Sequence, residues 1–166
     1  MGWFSRKAQG TTSSSDPEPA STGAGLDVTD PDFVGRPLAR PLPQEEQQRI
    51  DRALEQLASA GVDVDDLASI GAAYDKACAS RGAAGQGDAH DSCELIGIAI
   101  GEHLHRHSTL KWAMVTDTFG TDLGLDAARS ETVVVPHNLV SARWMRRETG
   151  WVPRVVQHLL SINARR

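Results

Sequence analysis

The sequence predicts an α+β domain: three N-terminal helices, a three-stranded antiparallel meander, and one or two C-terminal helices. Three observations carry that expectation. Apolar residues recur at helical spacing from residue 44 to about 108. Between 110 and 136 the pattern changes to alternation around a DTFG turn, followed by a Val-rich run. Helical spacing then resumes from about 138. Helices followed by strands, rather than strictly alternating with them, argue against a parallel α/β sheet.

Residues 1–43 read as an N-terminal arm and 44–166 as one domain. AQGTTSSSDPEPASTGAGL (8–26) is too polar to offset the entropy of ordering, so disorder is expected there. The proline-punctuated DFVGRPLARPLP (32–43) predicts an extended strap over the domain surface, in preference to a polyproline ligand. The first helix follows Pro43, with Ile50, Leu54 and Leu57 on one stripe, acids in the first turn and Gly61 as its stop. A second helix over 65–81 carries Leu67, Ile70, Tyr74 and Cys78, and GAAGQGD (82–88) reads as a loop. The third helix is expected to open with Asp91 and Glu94 as a capping box and to fade near Ser108. Gly97 and Gly101, one turn apart, leave room for another element to approach it closely.

LKWAMVTD, TDLGL and ETVVVP give the three strands, the last expected to be central because it is Val-rich. Asn138 is placed to cap a fourth helix that Gly150 ends, and Pro153 starts a fifth.

Composition excludes some function classes. No apolar run approaches the ~18 residues of a membrane-spanning helix. MGWFSRKAQG has no apolar stretch of the secretory type and misses the myristoylation pattern, so a cytoplasmic location is expected. Two cysteines, Cys78 and Cys93, form neither a disulfide framework nor a CxxC pair. Net charge is −1 over 1–43, −7 over 44–109 and +3 over 110–166, which sets up an acidic middle and a basic end for steering partners.

Four groups of residues could carry chemistry. His103 and His107 share a helix face in GEHLHRH and could ligate zinc, but a site needs further ligands and the order is not that of the zinc proteases. The alternative is that histidines at a helix C-terminus satisfy its carbonyl dipole. Cys93, in the first turn of the expected third helix with His90 upstream, could be an activated thiolate, or a buried small hydrophobe. Asp117 and Asp122 beside Trp112 could line a pocket, although Asp also serves turns directly. Finally, Arg143, Trp144, Arg147, Trp151 and Arg154 interleave charge and stacking surface, as protein hot spots and nucleic-acid binders both do.

The runs PLPQEEQQRIDRALEQL, LIGIAIGEHLHRH, LKWAMVTDTFGTDLGLD and ETVVVPHNLVSARW resemble a bacterial domain-of-unknown-function family numbered three-eight-zero-six. Trp112, Asp117, Gly120, Asp122, Pro136 and Arg143 carry most of the likeness, over about residues 41–150. The resemblance carries no activity over.

The expected role is a non-catalytic cytoplasmic accessory module that binds another protein or a second copy of itself, without a cofactor. The expected interaction surface is the basic-aromatic face near 143–154 or the N-terminal arm; if it is the face, Trp144→Ala or Arg147→Glu should leave the fold intact and abolish binding. The alternatives are a small metal- or thiol-dependent enzyme using His103, His107 or Cys93, and weak nucleic-acid binding by the arginine face.

Overall fold

The computed structural model describes residues 37–80, 86–117, 120–127 and 132–164, with the backbone alone for 86–89. The disordered arm expected over 8–26 lies outside them. The order is β1 (Leu38–Arg40), α1 (Gln44–Ser59), α2 (Leu67–Ser80), α3 (Gln86–His107), β2 (Lys111–Asp117), β3 (Gly120–Ala127), β4 (Thr132–Val134), α4 (Pro136–Arg146) and α5 (Val152–Ile162). The α+β expectation holds, with five helices and a four-stranded antiparallel sheet among the described residues.

Several expected details change. The proline-rich strap contributes a strand: Leu38, Ala39 and Arg40 pair with Thr116, Val115 and Met114, so the sheet order is β1-β2-β3-β4. Prolines at 37, 41 and 43 bracket this strand without entering it, as suits an edge, where a missing donor costs least. The Val-rich β4 is therefore at the other edge, not central; of its residues only Val134 is buried in the main core, and composition alone cannot tell such one-sided burial from burial on both faces. α3 begins at Gln86, so Asp91 and Glu94 form no capping box. α4 begins with Pro136 at its first turn, where the missing N–H costs nothing, and Asn138 does not cap it. Arg147, in the left-handed region at φ 54°, closes α4 ahead of Gly150.

α3 runs through the middle of the molecule. Its Ile96, Ala99, Ile100 and Leu104 meet Leu57 of α1, Ile70 and Tyr74 of α2, Val140 and Trp144 of α4, and Val152 and Val156 of α5. The two expected glycine approaches are both used. A Cβ on Gly97 would meet the His137 backbone nitrogen at 3.2 Å, and one on Gly101 would overlap the Trp112 ring. α3 thus lies against Trp112 at the start of β2 at closer range than a side chain permits, and against the start of α4 at a range where one would be tight.

The end of α3 is stitched to the α1–α2 connection. His103 Nδ1–H donates to the Val64 carbonyl at 2.8 Å, His107 Nε2–H to Asp65 at 2.9 Å, and Arg106 to Asp65 at 2.7 Å. Burial holds the His103 pKa below its ordinary value, and His107 with its ring 4.5 Å away acts in the same direction. The unfolded chain therefore binds the proton more readily. Stability contributed by this ring is complete above about pH 6.5 and is lost as the pH falls toward its depressed native value. We expect the melting temperature to drop between pH 7.5 and 5.5, and to drop less steeply in His103→Asn, whose amide can still reach Val64. Parallel pH profiles for the two proteins would refute this.

Candidate functional site

The expected sites fare differently. His103 and His107 lie together, but His103 Nδ1 is engaged with Val64 and His107 Nε2 with Asp65, so both residues fasten a helix end. Among the described residues no group of three or more His, Cys, Asp or Glu has metal-ligand geometry. Cys93 lies two turns inside α3, beyond the reach of the helix N-terminal dipole, and is buried. That removes the premise for an activated thiolate. Cys78 and Cys93 form no disulfide and pack in the main core with Tyr74.

The arginine–tryptophan face does not exist as a stacking surface. Trp144 is 4% exposed and Trp151 1%, and each meets Tyr74 edge-to-face at 5.9 and 5.3 Å. The Arg143 guanidinium lies 4.5 Å from the centre of the Trp151 ring, covering it from solvent, and donates to the Leu139 carbonyl at 3.0 Å. Arg147 and Arg154 alone of this set are exposed. Interleaved charge and tryptophan reads the same in sequence whether the rings point out or in.

Trp112 and Asp122 do border one cleft, but Asp117 does not line it. Asp117 ends β2, where its carboxylate accepts the Gly120 N–H at 3.2 Å, the turn chemistry of Asp. Asp122 pairs with Val115, which strand alternation puts on the opposite face from Trp112.

The cleft itself, about 210 Å³, lies between α1, α3, the β2–β3 pair and the first turn of α4. Its apolar walls are Ile98, Trp112, Met114, Leu123 and Pro136. Trp112 is fixed by its indole N–H, which donates to the buried Glu102 at 3.0 Å, and Glu102 in turn accepts from Arg106 at 2.8 Å. At the polar end Arg49 is shared by two carboxylates, Nε to Glu94 at 2.7 Å and Nη1 to Glu46 at 3.1 Å. The Arg49 hydrogen bond, reinforced by its charge, holds the Glu94 pKa below the usual carboxylate range despite partial burial. His90 Nε2 stands 3.9 Å from the other Glu94 oxygen, and its ring meets that of His137 at 5.4 Å. Burial, followed by the charge of His90, pushes the His137 pKa down; Asp122 and Glu94 oppose the shift. His137 Nε2 lies 3.2 Å from Ser141 Oγ, one turn along α4.

Sequence reasoning missed Glu46, Arg49 and Glu94 as a site. Glu46 and Arg49 form an ordinary i,i+3 pair, and His90 and Glu94 an ordinary i,i+4 pair. What makes them a site is the 45-residue link between Arg49 and Glu94, which no local pattern encodes. The usable signal was Gly97, whose missing side chain brings His137 to the same place.

The chain matches the family model described as Domain of unknown function (DUF3806) over residues 66–154, more than half of its 166 residues. The chain belongs to this family. Searches of curated proteins and of solved structures return no match. The matched span contains His90, Glu94, Trp112, Asp122 and His137, whereas Glu46 and Arg49, on α1, precede it.

Proposed function

We propose that this member of the DUF3806 family is a non-catalytic binding module of the cytoplasm, engaging a partner protein through the cleft between α1, α3, the sheet and α4. The observation that carries this reading is how the charged groups are used. Glu94 is kept ionised by Arg49, which makes it a fixed acceptor rather than a proton donor near neutral pH. Arg49 is held on both sides by carboxylates, so the polar end is a preorganised set of charges beside apolar walls. Such a combination favours recognition: the walls supply burial and the charges supply orientation.

The site on this reading differs from the arginine-rich α4–α5 surface, and the two can be separated. Thr121 is exposed at the cleft wall, so Thr121→Trp would fill the cleft mouth without disturbing the core. The expected result is that a partner captured by the wild-type chain is lost with Thr121→Trp and kept with Arg147→Glu. Loss with Arg147→Glu and retention with Thr121→Trp would move the site to the α4–α5 surface.

A further inference from the structure

We infer that the cleft receives a single arginine side chain of the partner, its alkyl stem against Trp112, Met114 and Leu123 and its guanidinium against Glu94 and Glu46. This rests on the cleft being the binding site, and three observations specify the occupant.

Size comes first. Small-molecule and cofactor sites occupy roughly 300–1,000 Å³, and about 210 Å³ is below that range. One extended side chain suits the space better than a cofactor does.

Charge is the second. Two carboxylates, Glu46 and Glu94, face Arg49, the one permanent cation among the described lining residues, and Asp122 adds negative charge at the border from the other face of the strand pair. His137, pushed toward its neutral form by burial and by His90, does not redress the balance near pH 7. The surrounding segment 44–109 carries a net −7, so a cation is drawn toward the mouth before it is bound. A carboxylate or phosphate would meet the opposite field.

The third observation is geometric. Glu94 and Glu46 already hold a guanidinium, that of Arg49, at 2.7 and 3.1 Å. Glu94 uses Oε1 for that bond, while Oε2 stands 3.9 Å from His90 Nε2, beyond hydrogen-bond reach. An acceptor oxygen is therefore in place at the polar end of an apolar slot. A planar guanidinium can reach this oxygen with one edge and lie along Trp112, a pairing that an ammonium makes less well. The methylenes of the incoming stem replace water along Met114 and Leu123.

The test is an NMR titration of the full chain with n-butylguanidinium, n-butylammonium and butanoate at pH 7.5. Butylguanidinium should shift the backbone amides of Arg49, Glu94 and Thr121 and the Trp112 indole N–H saturably. Butylammonium should bind more weakly and butanoate should leave these signals in place. Glu94→Gln should weaken butylguanidinium on the order of tenfold, through loss of a charge-assisted bond. Asp122→Asn, at an exposed position, should weaken it less and supplies a second variant if Glu94→Gln disturbs the fold. Butylammonium binding as tightly as butylguanidinium would overturn the arginine assignment. Butanoate shifting the same signals would reverse the charge class while leaving the cleft as a binding site. Silence from all three probes would overturn this inference, and Thr121→Trp would then decide separately whether the cleft binds a partner at all.

Discussion

Trp151→Ala is expected to destabilise the protein by about 3–5 kcal/mol, the range for emptying a fully buried tryptophan site. Trp151 is 1% exposed, immediately before α5, and its ring is held between Tyr74 and the guanidinium of Arg143. Removing it takes away an edge-to-face partner, leaves a cavity beside Val152 and Val156, and uncovers Arg143 from the surface on which it lies. Collapse is limited, because Tyr74 is also braced by Trp144, which is itself buried. In a chain of this length the loss corresponds to a fall in melting temperature of roughly 6–20 °C. Trp144→Ala should behave similarly, and the sequence-based expectation that it would spare the fold is withdrawn. Thermal or urea unfolding decides the matter: a Trp151→Ala protein as stable as wild type would mean that the ring is not part of the core. Because both tryptophans carry the fold, loss of binding in either alanine variant would say nothing about an interface.

Gly101→Ala carries the second large effect, and its sign is the informative part. In an ordinary helix interior this change stabilises by about 0.8–1 kcal/mol. Here the new methyl would overlap Cη2 and Cζ2 of Trp112, which lies directly on the helix backbone. The indole would have to swing away, breaking its 3.0 Å bond to Glu102 and leaving that buried carboxylate with Arg106 alone. Overpacking costs about 1–3 kcal/mol, and a buried acceptor short of a partner adds about 1–3 kcal/mol. The helical gain does not offset this, and we expect net destabilisation of about 2–4 kcal/mol by urea unfolding. Trimming the ring in Gly101→Ala/Trp112→Leu should recover part of the loss relative to Gly101→Ala alone, and the coupling in that cycle isolates the contact. A Gly101→Ala chain more stable than wild type would place Trp112 elsewhere. Movement of Trp112 would also remove one wall of the cleft, so the variant should lose butylguanidinium binding along with stability.

The helices were legible because each announces itself locally. Ile50, Leu54 and Leu57 mark the inner face of α1, and Pro43 and Gly61 bracket it. The strands β2 and β3 and their turn were legible for the same reason, with Asp117 and Gly120 in the positions that turn chemistry assigns. Gly97 and Gly101 announced close approaches, although not what would approach. Errors arose where a local signal has two readings. Asp91 and Glu94 resemble a helix start, yet α3 already began at Gln86, within the stretch 82–88 read as a loop from its glycines, a residue type whose low helix propensity is only a weak prior. Arginine and tryptophan in 143–154 have one sequence pattern for an exposed face and for a covered core.

The sequence by itself thus determined the class of fold, the order of its helices, the hairpin and the family to which the chain belongs. Periodicity, caps and turns act over a few residues and can be read from a few residues. Only the tertiary structure decided that the proline-rich strap joins the sheet, that Trp144 and Trp151 point inward, and that Arg49 meets Glu94 beside His137. Those outcomes depend on which faces can be buried together across 45 or more residues, and packing settles that for the whole chain at once.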